Sequence, residues 1–132
     1  MQDSKPISTP FPVNFKLSSS MSPSNEVERM EMSRILYAST VGSLMFAMIC
    51  TRPNITQGVG AVSRNMVNPG GEHWNVVKKI LRNIRGTSNA GLCYGGLDFT
   101  VRCYVGSDFV GDLDKRKSTT CYVFTFGRET IS

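Results

Sequence analysis

Asp108 and Asp112 of CYVGSDFVGD, a run rich in β-branched and aromatic residues, and Asp114 just beyond it crowd one short stretch. Metal-dependent phosphodiesterases place carboxylates at such a strand end. Two divalent ions flanking a scissile phosphate need several anionic oxygens converging on them. The acids of one turn supply few of those oxygens, and Lys115, Arg116 and Lys117 follow at once to balance them. Taken alone, these residues read as a solvated hairpin turn. Asp108 and Asp112 are the weak candidates for a single ion, and no full metal site is expected.

A second cluster is cationic. Lys78, Arg82 and Arg85 recur at helical spacing, with Lys79 beside them and Arg52 and Arg64 upstream. The chain carries 15 Lys and Arg against 10 Asp and Glu, a formal net charge of +5. Residues 1–36 hold four basic and four acidic side chains, and residues 91–132 hold five of each. The whole surplus therefore lies in 37–90, where six cations face Glu72 alone. A local basic excess points to a polyanion, with Lys78, Lys79, Arg82, Arg85, Arg52 and Arg64 as the candidate phosphate contacts. Its bland alternative is a solvated helix face, since cations in a last helical turn also suit the helix dipole.

Other chemistries lack their residues. Cys50, Cys93, Cys103 and Cys121 are scattered with no C-x-x-C pair, and His73 is the single histidine. That argues against zinc, against a disulfide scaffold and against Ser/His/Asp catalysis. G-V-G-A in 58–61 lacks the lysine and preceding strand of a phosphate loop. Trp74 heads an apolar stripe and is read as a core anchor, with His73 a first-turn residue.

The elements that must position these residues form an α+β chain. Residues 1–25, with Pro6, Pro10, Pro12, Pro23 and a triple serine, predict an extended leader with few anchors. Asn25, with Glu28 three residues on, predicts a helix start in capping-box form. The helical pattern runs to Cys50 with a break or kink near Ser33. In its second half Tyr37, Val41, Leu44, Met45, Met48 and Ile49 share a face, and Ala38, Gly42 and Ala47 lie nearer another. A second helix over 53–67 is weakened by Gly58 and Gly60. The third, over 72–85, has Trp74, Val77, Leu81 and Ile84 as its stripe with Ile80 beside them, and Gly86 as its stop. From Gly91 the texture is β: GLCYGG, TVRCYVG and TTCYVFTFG, with 112–117 as the exposed tip. The expected units are a leader (1–25), a three-helix segment (26–90) and an incomplete antiparallel sheet (91–132). The longest apolar run, YASTVGSLMFAMIC, is shorter than the ~20 residues of a membrane span. With no apolar signal core at the N-terminus, an intracellular protein, cytoplasmic or nuclear, is expected.

YASTVGSLMFAMICTRPNI, GAVSRNMVNPGGEHWNVVKKILRNIRGTS, GLCYGG and YVGSDFVGDLDKRKSTTCYVF together resemble the Pol polyprotein of plant copia-type LTR retrotransposons. The resemblance covers nearly the whole chain. It implies a thumb-like helical piece from the C-terminal part of reverse transcriptase, followed by the opening strands of ribonuclease H. The family pattern departs here at several positions. Asn54 stands where the family has aspartate in T-R-P-D-I, and Lys79 and Asn83 stand where aromatic residues are usual. Cys103 and Cys121 replace glycine.

The ribonuclease H block normally opens Y-x-D-x-D, and this chain reads Tyr104-Val105-Gly106-Ser107-Asp108. The resemblance implies that the first metal-binding acid belongs at Gly106, which has no side chain to offer. Asp108 matches the second acid, roughly 6.5 Å further along an extended strand. The remaining nuclease acids are expected beyond Ser132 and the polymerase aspartates before Met1, and no Y-x-D-D occurs. The expectation is a Pol fragment with no catalytic activity of its own and no bound cofactor, Mg2+ being expected only in the intact family enzyme. Its expected partners are the rest of Pol and, through phosphate contacts, an RNA or DNA primer–template.

Overall fold

The computed structural model describes residues 4–11, 15–90, 100–112, 114–115, 117–126 and 129–130, with the backbone alone at 108–112, 117–119, 121 and 129–130. The chain divides into two compact units, Met1–Ser88 and Asn89–Ser132. The class is α+β.

Among its described residues the first unit holds four α-helices: α1 Glu26–Ser33, α2 Tyr37–Cys50, α3 Thr56–Ser63 and α4 Gly71–Gly86. Short 3-10 turns at Ser19–Met21 and Pro53–Ile55 precede α1 and α3. The expected kink near Ser33 is a full break. Leu36 leaves the helical region at φ −77° and ψ 60°, and the Tyr37 N–H turns to the Ile35 carbonyl at 2.8 Å. Composition explains the break, because α1 buries none of its residues whereas α2 buries Tyr37, Val41 and Leu44. Asn25 occupies the N-cap of α1 as expected, but its side chain makes no capping bond.

Three further expectations are corrected. On α2 the buried stripe is narrower than periodicity suggested: Met45 and Ile49 are exposed, as is Phe46. Helix α3 ends at Ser63, four residues before its expected limit, where the Ser63 hydroxyl bonds back to the Gly60 carbonyl at 2.9 Å. Gly58 has a packing reason: a Cβ there would stand 3.1 Å from Ile80 Cδ1, so its absence lets α3 approach α4 closely. On α4 the buried line is His73, Val76, Val77, Ile80 and Asn83, while Trp74, Leu81 and Ile84 flank it half-buried. Gly86 is the last helical residue and Thr87 the cap.

The leader also differs from expectation. Leu17 is part of the core, and Phe11, Phe15 and Met21 lie against it. The Ser22 hydroxyl donates to the Asn68 carbonyl at 2.8 Å. An extended segment becomes fixed when its apolar side chains and its carbonyls both find partners, and here both do.

The second unit is a three-stranded antiparallel sheet in the order β1-β2-β3, with β1 Val101–Asp112, β2 Lys117–Phe126 and β3 Glu129–Thr130. Register runs from Val101↔Phe126 to Asp108↔Thr119, shifts, and resumes at Asp112↔Lys117. Asp114 and Lys115 lie exposed at the tip. Among the described side chains of the hairpin, Val101, Tyr104, Val105 and Tyr122 are all more than half exposed. The expected strand GLCYGG lies outside the described residues.

Candidate nucleic-acid interface

Helix α4 carries the cations, and its two ends explain how it is held. At the N-terminus the Gly70 N–H donates to His73 Nδ1 at 3.0 Å, and the Trp74 N–H reaches the Gly70 carbonyl at 3.1 Å. His73 is therefore the acceptor half of a cap and fully buried, which residue type alone did not reveal. Position 70 must be glycine because a Cβ would collide with the Met21 carbonyl. At the C-terminus Arg52 donates through Nη1 to Thr87 Oγ1 and through Nη2 to the Thr87 carbonyl, both at 2.8 Å. A planar guanidinium suits this two-pronged cap, and its charge suits the negative end of the helix. Arg52 is committed to the fold.

Lys78, Lys79 and Arg82 line a cleft of about 320 Å3 together with Ser4, Glu72 and Asn75. Three cations there face one carboxylate, and Glu72 Oε1 accepts from Asn75 Nδ2 at 3.5 Å. Arg85 and Arg64 are exposed, on the last turn of α4 and at the C-cap of α3, away from the cleft lining. The structure thus gathers three of the six candidate phosphate contacts. It assigns Arg52 to a cap.

The leader shapes this face. Arg82 Nε donates to the Lys5 carbonyl at 2.7 Å, and Lys79 Nζ lies 5.8 Å from the centroid of the Phe15 ring. Asn83, only 1% exposed, donates through Nδ2 to the carbonyls of Ile7 at 3.1 Å and Ser8 at 2.8 Å. Its Oδ1 accepts from Asn54 Nδ2 at 3.4 Å. Sequence reasoning missed this cluster. The available signal was a polar residue on the buried stripe of α4, together with departures from the family pattern at both 54 and 83.

The acidic stretch offers less. Gly106 lies in β1 opposite Cys121, and a Cβ there would meet nothing within 4 Å. Asp108 faces Thr119 and Asp112 faces Lys117 across the ladder, with a register irregularity between them. The carboxylates of both lie outside the described residues. Among the described residues no group of three His, Cys, Asp or Glu side chains could share an ion. Position 106, where the resemblance places the first metal-binding acid, offers no side-chain oxygen.

No protein-family model matches the chain, and no solved structure gives a significant match. Curated proteins do match. Over all 132 residues the chain is 50% identical to the retrovirus-related Pol polyprotein from transposon TNT 1-94 of Nicotiana tabacum. The chain is homologous to a stretch of retrotransposon Pol polyproteins. A second Pol relative, from transposon RE2 of Arabidopsis thaliana, is 34% identical over 97 residues, 73% of this chain. The chain spans 10% and 7% of the lengths of these two, so it corresponds to a short segment of a longer Pol polyprotein. A further relative, the secreted RxLR effector protein 161 of Plasmopara viticola, is 33% identical over 107 residues, 76% of this chain and 72% of that protein. Among the described residues of the Pol segment, no single helix is long and apolar enough to cross a membrane.

Proposed function

We propose that this Pol segment has no catalytic activity of its own and that its helical unit contributes a sequence-independent phosphate-contacting surface. One observation carries the binding half: Lys78, Lys79 and Arg82 open onto a single cleft on α4. Lysine and arginine on phosphates position a nucleic acid without reading its bases. The partner is the backbone of an RNA or DNA primer–template, and the setting is the remainder of Pol. The non-catalytic half is supported by Gly106, where the resemblance calls for an acid and the chain has only hydrogen. Mg2+ belongs to the intact family enzyme in this proposal and has no role in this segment.

The test uses a fluorescently labelled RNA–DNA hybrid. At low salt the protein should bind it, with affinity falling steeply and log-linearly as salt rises, because bound cations are released from the phosphates. Lys78→Gln, Lys79→Gln and Arg82→Gln combined should weaken binding by at least about tenfold and flatten the salt dependence by two to three counterions' worth, at roughly one per phosphate contact. Unchanged affinity would place the interface elsewhere. In the same tubes, with Mg2+ or Mn2+ added, the RNA strand should stay intact; cleavage by protein free of contaminating nuclease would overturn the non-catalytic reading.

A further inference from the structure

The phosphate cleft is built by two segments far apart in sequence. Ser4 forms part of its lining beside Lys78, Lys79 and Arg82. Next to it, the Lys5 carbonyl accepts from Arg82 Nε at 2.7 Å and so fixes the direction in which that guanidinium extends. Asn83, one residue along α4, then holds the strand of leader in place through the Ile7 and Ser8 carbonyls. Pro6 lies against Gly86 so closely that a Cβ at 86 would come within 2.7 Å of Pro6 Cβ. Contacts at Arg82, Asn83 and Gly86 thus seat residues 5–8 along the last turns of α4, and both donor bonds of the buried Asn83 amide go to that seating.

From these contacts we infer that residues 4–8 are a positioning strap that completes a single-phosphate site with Lys78, Lys79 and Arg82, the ligand being one phosphate of a polynucleotide backbone. The inference rests on the phosphate-contacting reading above and deepens it. An arginine held by its Nε keeps its other two nitrogens in a fixed plane, the arrangement suited to two-pronged contact with phosphate oxygens. Without the strap, the same side chain must lose its rotamer freedom on binding. The strap itself carries one charge, that of Lys5, and the whole stretch 1–9 is neutral because Asp3 balances it.

Two variants test this against the labelled RNA–DNA hybrid. Gly86→Ala stands outside the cleft, favours the helix by its own propensity, and forces Pro6 away. Deleting residues 1–9 removes the strap and leaves the formal side-chain charge unchanged. Both should lower affinity about fivefold, the scale of one positioned hydrogen bond, and reduce the salt slope by roughly one phosphate contact. Circular dichroism checks the fold, and Gly86→Ala decides the matter should the truncated chain unfold. If the parent protein binds and Gly86→Ala binds equally well or more tightly, the strap does not position Arg82, and this inference fails while the phosphate-contacting reading stands. If the parent protein shows no salt-dependent binding, both fail together.

Discussion

Asn83 and Tyr37 are the polar groups on which the helical core depends. The buried Asn83 amide donates to the leader carbonyls of Ile7 and Ser8. Replacing it with leucine removes both hydrogen bonds, and Asn83→Leu should cost about 1–3 kcal/mol in urea unfolding. Tyr37, 3% exposed, donates its hydroxyl to the Val62 carbonyl at 2.8 Å and stands 6.4 Å from the Trp74 ring. Burial pushes its phenol from 10.0 up to about 12. Since the protonated form is the one the fold prefers, this contribution is complete below pH 10 and is lost as pH rises towards and through about 12. Tyr37→Phe should lose about 1 kcal/mol at neutral pH. Its urea midpoint should then fall less than the parent's between pH 9 and 11.5 (roughly the window set by the shift). Equal falls would show that Tyr37 does not carry the alkaline sensitivity.

Helix α4 is the element on which both caps and the cleft depend. Arg52→Ala removes both prongs from Thr87 and should destabilise the helical unit by about 1 kcal/mol, as loss of a charge-assisted cap does. Arg52→Lys should recover only part of it, because an ammonium cannot span two acceptors in a plane. Hybrid binding by either variant should match the parent once the protein is folded, which separates Arg52 from Lys78 and Arg82. A large loss of affinity in folded Arg52→Lys would return Arg52 to the interface.

At the scale of the molecule, the two units should differ sharply in local stability. The helical unit buries Val41, Ile55, Val62, Val77 and Ile80 completely or nearly so, whereas Tyr104, Val105 and Tyr122 of the hairpin stay more than half exposed. Hairpins with little apolar burial are marginal by themselves. Hydrogen exchange should therefore show slow amides in α3 and α4 and fast ones through β1 and β2. Comparable protection in the hairpin would mean that its apolar faces are covered in solution.

The sequence alone determined the class, the Pol relationship, the break near Ser33, the run of α4 and the glycine at 106. Those features depend on local propensity, on periodicity, or on the plain absence of a side chain. Only the tertiary structure decided that Arg52 is a cap, that Asn83 faces inward, and that Ser4 lines the cleft of Lys78 and Arg82 while the Lys5 carbonyl holds Arg82. Each of these depends on hydrogen bonds between residues 29 to 77 positions apart, and a backbone carbonyl such as that of Lys5 accepts identically whatever its side chain. Composition marks where charge accumulates along a chain. Which charges remain available to a partner is settled by the acceptors that the fold brings beside them.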